Sequence, residues 1–489
     1  LVVWNSNIIQ RGTTAVTVEG ESYSAAEVSY YYHNAYNSIV NSNYVSLYGI
    51  DKNTALSQQS LNDTAKMMLG VTEDMTWDAY FRDAAKKSLI QLTMLKKGAA
   101  EKGLTFDDDM QKEIDSTLET FSTYAKKAGY STSAYLKLMY GNNMTMSTFK
   151  SILKDTVLAS HYQQDYIDSL TYTDEEVETY YNEHKNNFDV ADYEYIYFKG
   201  TADSTKDADG NTVEATDEEK ATAMQAAEAK ANEFADAVKA ADDKEAAFIE
   251  LAPDYVSESS KDSYADDPDR SLSTGVVGSS LSSTYGSWLK DESRTAGDVT
   301  VIEGSSSYYV VLFLDRYRNE DPTADIREIF VQAELTQEDD ASTEDVDEST
   351  IPTQEAMDAA KAKAESLLSQ WESGDKTADS FGTLAQENSN DGNASNGGLS
   401  QAVTKGSQFD ALDAWIFDEA RQSGDTTVLE DTTDGAQGWR VVYFQDWNNP
   451  VWKNTADSSI RSQRVSDWLT SLTEGLEATQ GSGIKYVNE

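Results

Sequence analysis

The sequence predicts an α+β protein of several domains, in which a helical N-terminal region, completed by one C-terminal helix, precedes two similar units of strands and helices. Three observations predict this fold class. Helical patterning dominates residues 23–188, strand and helix patterns alternate over residues 189–450, and that alternating order occurs twice. The chain has 489 residues, enough for two to four domains of ordinary size.

Charge and composition exclude several classes of protein. Lys and Arg number 39 against 86 Asp and Glu, and the resulting net charge of −47 argues strongly against a nucleic-acid partner. The chain has no cysteine, which excludes disulfide scaffolds, zinc-thiolate sites and cysteine nucleophiles. No apolar run is as long as a membrane span. We interpret the opening LVVW as the end of a removed anchor or signal segment and expect an ectodomain.

Residues 1–188 are predicted to form a helical module. A long helix in MTWDAYFRDAAKKSLIQLTMLKKGAAEKG is predicted to end at Gly103. The acidic residues 107–109 are interpreted as the first turn of the next helix, where the helix dipole favours negative charge, and not as a metal site. Two further helix starts have the spacing of a capping box, Ser24 with Glu27 and Thr173 with Glu176.

Residues 189–320 and 321–450 are predicted to be two copies of one unit. The first contains the strand YEYIYFKG, an acidic insert, a helix, FIELA and the strand YYVVLFLDR. The second repeats this order with IREIFVQAE, the insert EDDASTEDVDEST, a helix, FGTLA and WRVVYFQDW. Two pairs of corresponding residues are each 133 positions apart, Tyr195 with Glu328 and Phe248 with Phe381. This constant spacing indicates an internal repeat.

Residues 451–489 are predicted to supply the C-terminal helix, in the segment SSIRSQRVSDWLTSLTEGLEAT. Its amphipathic pattern requires a surface on which the apolar face can pack. The segment has no domain of its own to provide that surface. We therefore expect this helix to return to the N-terminal helices.

The helical region that ends in TDEEVETYYNEHKNNF, followed by units with F-x-x-L-A, S-x-D and Gly-Gly-Leu motifs, resembles the PrsA/SurA family. In this family of extracytoplasmic bacterial foldases, a helical chaperone module completed by a C-terminal helix carries parvulin-type prolyl isomerase domains, built from antiparallel sheets and helices. The resemblance implies that the clients are unfolded or secreted polypeptides and that the full-length protein is membrane-anchored. Nothing in the sequence points to a cofactor, and no metal site is assigned.

The resemblance also assigns candidate site residues in the second unit. Parvulin domains carry one histidine in the first strand and one in the last, and these two positions hold Glu328 and Arg440. Both histidines are therefore missing. Four further positions of the degenerate site fall on Asp391 (acidic position), Gln408 (pocket methionine), Leu412 (first pocket aromatic) and Phe417 (second pocket aromatic).

Glu328 and Arg440 put opposite charges on strands that we expect to be neighbours. We predict that they form a salt bridge, which would leave no catalytic network for an amide whose rotation has a barrier of roughly 18 to 20 kcal/mol. The alternative is that both side chains point to solvent independently. In the first unit the histidine positions hold Tyr195 and Tyr309, and the acidic position holds Glu258.

The stretch FGTLAQENSNDGNASNGGLS would then be the parvulin helix end and the loop that crosses to the core of the sheet. Gly397 and Gly398 are predicted to supply backbone conformations or close approaches that side chains forbid.

Other candidate sites are weaker. No nucleophile elbow G-x-S-x-G supports a Ser/His/Asp hydrolase. The segment DSTKDADGNTVE fails the EF-hand pattern, because Thr205 and Thr216 occupy its first and last ligand positions. A weak calcium site in the acidic inserts stays open, against a flexible loop. The histidines are interpreted as structural or surface residues, and they are His33, His161 and His184.

The segment SYYYHNAY supplies a cluster of tyrosines with two interpretations. The rings either pack the N-terminal module or line a groove that holds extended, unfolded chains. Our first hypothesis is a chaperone that holds clients while its acidic surface keeps the complex soluble. The alternatives are an active prolyl isomerase with a non-histidine site, and a structural protein of the cell envelope. The client-binding candidates are Tyr30, Tyr31, Tyr32 and Tyr36.

Overall fold

The structure is a computed structural model and describes residues 8–206, 210–335 and 351–487. The opening LVVW and the insert EDDASTEDVDEST lie outside the described residues. The chain divides into two compact units, one formed by residues 8–171 and 461–487 and the other by residues 172–460. Both predicted repeats lie within the second unit. This division does not separate them, so the predicted domain boundaries stay predictions. No described helix is long and apolar enough to cross a membrane.

The helices are, in chain order, α1 (Ile8–Gly12), α2 (Ala25–Val40), α3 (Val45–Tyr48), α4 (Asp63–Leu69), α5 (Trp77–Lys102), α6 (Asp108–Lys127), α7 (Thr132–Tyr140), α8 (Met146–Ser169), α9 (Asp174–Glu183), α10 (Lys185–Phe188), α11 (Asp217–Ala240), α12 (Lys244–Tyr255), α13 (Glu258–Asp266), α14 (Gly286–Leu289), α15 (Gln354–Glu372), α16 (Ala378–Asn388), α17 (Asp410–Ile416) and α18 (Val451–Thr473). The strands are β1 (Thr14–Val18), β2 (Glu21–Ser24), β3 (Val190–Lys199), β4 (Thr205–Lys206), β5 (Thr212–Val213), β6 (Leu272–Val277), β7 (Val299–Glu303), β8 (Ser307–Tyr317), β9 (Pro322–Gln332), β10 (Leu399–Val403), β11 (Thr426–Asp431), β12 (Gly438–Pro450) and β13 (Thr479–Gln480). The predicted fold class, helical regions combined with antiparallel sheets, is confirmed.

Local sequence signals set most helix ends in the first unit. The capping box at Ser24 and Glu27 is present, with both reciprocal hydrogen bonds. Asp107 caps α6 by accepting from the backbone N–H of Met110 at 2.9 Å, which confirms the acidic stretch as a helix start. Gly103 ends α5 in the left-handed conformation, as predicted. Each of these ends satisfies backbone groups that the helix itself leaves free.

The first unit also contains a small sheet that the sequence did not predict. Strands β13, β1 and β2 pair in that order, with Val16 opposite Gln480. The strands are too short for a clear alternating pattern, and β13 is distant in sequence. Residues 461–473 of the C-terminal helix α18 belong to this unit, where Trp468 stacks on Tyr166 with ring centroids 4.0 Å apart. Helix α18 begins at Val451, before the predicted segment.

The second unit contains two sheets with the same antiparallel topology. Their strand orders are β6-β3-β8-β7 and β10-β9-β12-β11. A long helix packs on one face of each, α11 on the first and α15 on the second. Phe248 and Phe381, the predicted equivalents, are both fully buried. The internal repeat is therefore confirmed as a repeat of structure.

Candidate functional site

Strands β9 and β12 are the two inner strands of the second sheet and carry Glu328 and Arg440, which the sequence predicts at the histidine positions of parvulin domains. Glu328 is opposite Val442, and Arg440 is opposite Phe330. Glu328 and Arg440 are therefore diagonal neighbours on one face, because alternate residues of a strand point to the same side.

Arg440 is the centre of an ion cluster with three carboxylates. Its Nη1 donates to Glu328 Oε1 at 3.3 Å and to Asp391 Oδ2 at 2.5 Å. Its Nε donates to Asp431 Oδ2 at 2.7 Å. The guanidinium also lies over the ring of Phe330, 4.3 Å from the ring centroid. The predicted salt bridge is confirmed, and the alternative of two independent, solvent-directed side chains is wrong.

Burial and the ion pairs act in opposite directions on the pKa values of this cluster. Glu328 is 6% exposed, and burial raises its pKa, an effect that the charge of Arg440 opposes. Burial would also raise the pKa of Asp431, but hydrogen bonds from Arg440 and Thr433 hold that pKa below its usual value. Burial would lower the pKa of Arg440, yet the surrounding carboxylates raise it. Arg440 therefore keeps its positive charge, and its guanidinium donates hydrogen bonds to three carboxylate side chains.

The loop after α16 carries Asp391 into the cluster and is tied to β9 by two polar side chains. Ser389 Oγ accepts from the N–H of Phe330 at 3.0 Å, and Asn390 Oδ1 accepts from the N–H of Gln332 at 3.0 Å. The N–H of Asn390 donates to the carbonyl oxygen of Phe330 at 2.8 Å. These bonds hold the backbone next to Asp391 against the strand.

Two glycines close this loop against the strand. Gly397 and Gly398 have φ values of 65° and 66°, in the left-handed region. A Cβ on Gly398 would lie 2.1 Å from the carbonyl oxygen of Glu328, so no side chain fits there. Arg327 donates from Nη1 to the carbonyl oxygen of Gly397 at 3.0 Å. Both predicted reasons for glycine, the conformation and the close approach, are confirmed.

A cavity of about 380 Å³ opens beside the ion cluster. Its lining is polar and includes Asp391 and Gln408, together with Phe409. The structure therefore brings four of the predicted site residues to one cavity, namely Glu328, Asp391, Gln408 and Arg440. Their arrangement provides a negatively charged surface with one aromatic ring.

Leu412 and Phe417 do not line that cavity. Leu412 is 1% exposed and packs with Ile416 and Phe444 in an apolar cluster, which Phe417 covers from one side. The reason is the short helix α17, which turns its apolar face to the sheet and so buries Leu412, while Phe417 follows the helix and is partly buried against the same cluster. A role in seating a proline ring therefore stays a prediction for both residues, without a cavity contact to support it.

Two important residues were not predicted from the sequence. Asp431 is 2% exposed and completes the ion cluster, and Arg327 holds the double-glycine loop. The signal for Asp431 was present. The Asp434-Gly435 pair indicates a hairpin turn between β11 and β12, and Asp431 then falls diagonally opposite Arg440. No comparable local signal marks Arg327, because its partners lie in a distant loop.

At the positions equivalent to Glu328 and Arg440, the first repeat has tyrosine rings in place of charged side chains. Tyr195 and Tyr309 each lie near Tyr285, with ring centroids 5.8 Å and 5.6 Å away. Glu258 is exposed in the first turn of α13. Within residues 189–206 and 210–320, no ion pair involves these positions. Glu194, the equivalent of Arg327, is instead fully buried.

The tyrosine cluster of α2 packs mainly inside the first unit. Tyr32 is fully buried and donates to Asp78 Oδ1 at 2.9 Å. Tyr30, Tyr31 and Tyr36 are partly buried against the apolar clusters of the same unit. Tyr32 does not line a groove, because the packed helices α2 and α5 enclose it. Client contact by the other three stays a prediction.

The histidines have structural surroundings. His33 Nδ1 lies 2.8 Å from the carbonyl oxygen of Ser29, and His184 stacks on Tyr180. His161 pairs with Glu113 at 2.7 Å. In the described part of the chain, no group of three or more His, Cys, Asp or Glu residues is arranged to hold a metal ion. Residues 207–209 of the first acidic insert lie outside that part, so the weak calcium site is not tested.

Two family models match the chain. A SurA-like N-terminal domain matches residues 1–163. A PPIC-type peptidyl-prolyl isomerase (rotamase) domain matches residues 342–446, in the second repeat. Neither model extends over residues 189–320. The predicted resemblance is therefore confirmed for the helical region and for the second repeat. No curated protein matches the chain.

Several solved structures match parts of the chain. The foldase protein PrsA of Streptococcus pneumoniae is 18% identical, with a TM-score of 0.17, and the match covers 47% of this chain and 69% of PrsA. PrsA of Bacillus anthracis is 11% identical, with a TM-score of 0.21 and coverage of 47% and 79%. A SurA-like chaperone of Campylobacter jejuni is 16% identical, with a TM-score of 0.18 and coverage of 62% and 82%.

Proposed function

We propose that this chain, which joins a SurA-like N-terminal domain to a PPIC-type parvulin domain, is an extracytoplasmic foldase that holds unfolded or newly secreted polypeptides without isomerising prolyl bonds. One observation carries the proposal. Glu328 and Arg440, the residues that the resemblance aligns with the two parvulin histidines, belong to an ion cluster in which three carboxylates contact Arg440. Catalysis requires groups that stabilise the twisted amide more than the planar one. A guanidinium bound to buried carboxylates is costly to release for that task.

Exposed apolar side chains of the first unit support client binding. Tyr44 and Leu47 are 58% and 49% exposed, and Met67 is 77% exposed. They lie on or beside α3 and α4, which contact each other. Methionine adapts its shape to many partners, which suits a surface for clients of varied sequence. The net charge of −47 would keep the complexes soluble. Location outside the cytoplasm and a membrane anchor are part of this proposal.

Two assays on the full chain test the proposal. We expect no acceleration of cis/trans isomerisation of a short proline peptide, because the site lacks a catalytic network. We expect suppression of aggregation of an unfolded client, reduced in the double variant Met67→Gln/Leu47→Gln. The matched control is Val213→Thr, which changes an exposed apolar residue (45% exposed) of the other unit. Isomerase turnover, or equal suppression by both variants, would contradict the proposal.

A second candidate function is prolyl isomerisation with a non-histidine site. The cavity beside Asp391 and Gln408, with the ring of Phe409 in its lining, favours this candidate. It predicts turnover that Asp391→Asn abolishes. It also predicts that Gln408→Ala lowers turnover, while Gln422→Ala, on the exterior of the same repeat, does not. Absence of turnover in the unmodified chain excludes this candidate.

A further inference from the structure

The two repeats differ in how one edge of a central strand is covered. In the second repeat, β10 pairs with β9 only as far as Arg327. Beyond that point Ser389 and Asn390 cover the edge, with bonds to the backbone of Phe330 and Gln332. The chain thus satisfies this edge of β9 with its own loop.

In the first repeat the corresponding edge is open. Strand β6 pairs with β3 as far as Glu194, and the N–H of Tyr195 donates to the carbonyl oxygen of Ser271 at 3.0 Å. The N–H and C=O of Tyr197 and the N–H of Lys199 point away from β8, because alternate residues of a strand bond to opposite neighbours. Among residues 189–206 and 210–320, none of these three groups has a hydrogen-bond partner.

The residues after the second helix of each repeat explain the difference. Ser389 and Asn390 leave α16 as a loop that follows the strand. Their equivalents in the first repeat, 133 positions earlier, are Val256 and Ser257. Ser257 precedes α13, and its Oγ lies 3.0 Å from Ser260 Oγ. The chain turns into a helix here and leaves the strand edge uncovered.

A cleft of about 430 Å³ adjoins the open edge. The strand residues Tyr197 and Lys199 line the cleft on one side. Ala223 and Ala226 of α11, together with Tyr255 and Tyr264, also line it. Small alanine side chains beside the two tyrosine rings leave room for an apolar side chain. Backbone bonding groups and an apolar pocket are therefore adjacent.

We propose that an extended segment of an unfolded polypeptide adds to this edge as a strand, bonds to Tyr197 and Lys199, and places an apolar side chain over Ala226. The inference rests on the proposed function, because the client supplies the segment. The loop at residues 389–390 demonstrates the fit, since it lies along the equivalent edge of β9. Strand addition uses backbone bonds, so it recognises chains of many sequences.

Amide hydrogen exchange on the full chain tests the strand directly, with reduced and carboxymethylated lysozyme as the unfolded probe. We expect the probe to protect the N–H groups of Tyr197 and Lys199. The N–H groups of Ile196 and Phe198 should not change, because they already bond to β8. Protection confined to these alternate residues is the signature of an added strand. Equal changes at all four amides would overturn the inference.

A matched pair of variants tests the cleft. Ala226→Phe fills the cleft of the first repeat, and Ala359→Phe makes the same change at the equivalent exposed position of the second repeat. We expect Ala226→Phe to weaken probe binding about five- to tenfold. Ala359→Phe should leave it unchanged, because the edge of β9 is already covered. Equal affinity of both variants would overturn the inference.

The remaining outcomes separate this inference from the proposed function. If the unmodified chain does not bind the probe, the proposed function itself fails. If it binds the probe without protecting Tyr197, only the strand inference fails. If Tyr197 becomes protected without probe as the chain is concentrated, the occupant is a second copy of this chain, which also overturns the inference. Should Ala226→Phe not fold, the exchange measurement on the unmodified chain still decides.

Discussion

The two repeats of the second unit share one topology and carry different chemistry. Their sheets have the same strand order, and the equivalents Phe248 and Phe381 are both fully buried. The equivalents Glu194 and Arg327 have opposite charges, and the second repeat alone of the two has the cluster around Arg440. Apolar positions that fill the core maintain the fold, while polar positions on the sheet are free to change. A retained fold therefore does not establish a retained activity.

Removal of Arg440 should have the largest effect on this comparison. Arg440→Met leaves Glu328 and Asp431 buried without their cation. Loss of one partner of a buried ion pair costs about 3 to 5 kcal/mol. We expect a decrease of that size in the free energy of unfolding, measured by urea denaturation at pH 7.

The control for this change is in the first repeat. Tyr309→Phe alters the equivalent position without removing a charge, and we expect a loss of less than about 1 kcal/mol. Similar losses for Arg440→Met and Tyr309→Phe would mean that the ion cluster contributes no more than an ordinary tyrosine contact.

Gly398→Ala should have the next largest effect. Its Cβ would lie 2.1 Å from the carbonyl oxygen of Glu328, at a φ of 66° that side chains rarely adopt. Strain and the steric clash together should cost about 2 to 4 kcal/mol. Gly406→Ala is the control, because Gly406 has a φ of 81° but nothing within 4 Å of a Cβ. If thermal unfolding shows equal losses of stability for both variants, the close approach of Gly398 to the carbonyl oxygen of Glu328 does not contribute to the loss.

Glu194→Gln should make the first repeat more stable at high pH. Glu194 is fully buried, and neither carboxylate oxygen has a hydrogen-bond partner among the described residues. Burial raises its pKa from 4.5 to about 7, an effect that the nearby Ser271 side chain opposes. The folded state therefore holds the proton more tightly than the unfolded state. Stability from this group is present below pH 4.5 and is lost as the pH rises to about 7.

The neutral amide of Gln cannot lose a proton in this range. We expect Glu194→Gln to match the unmodified chain at pH 4.5 and to exceed it by about 2 to 3 kcal/mol at pH 8. Urea denaturation at both pH values measures the difference. Glu258→Gln, at an exposed position of the same repeat, should show no such pH dependence. If the free energy of unfolding changes with pH in the same way for Glu194→Gln and for the unmodified chain, the result would contradict the burial of the Glu194 carboxyl group.

Local signals predicted much of the fold, and residues distant in sequence account for what was missed. The capping residues Ser24 and Asp107 mark helix starts with neighbours only three positions away. The pair of Glu328 and Arg440 followed from the resemblance, which supplied the strand alignment. Asp431 and Arg327 were missed, because their partners are set by a hairpin register and a loop crossing. The three-stranded sheet was missed for the same reason.

Asp391→Asn should have the smallest effect, and it distinguishes the edge of the ion cluster from its centre. The Asp391 side chain is 24% exposed, whereas that of Asp431 is 3% exposed. Water can replace a partly exposed charge, so we expect Asp391→Asn to cost about 0.5 to 1 kcal/mol in urea denaturation. Asp431→Asn should cost more, because Arg440 would lose a buried partner. Equal losses in the free energy of unfolding would mean that solvent exposure does not determine how much each carboxylate contributes to stability. Asp391 would then be as important for the structure as Asp431.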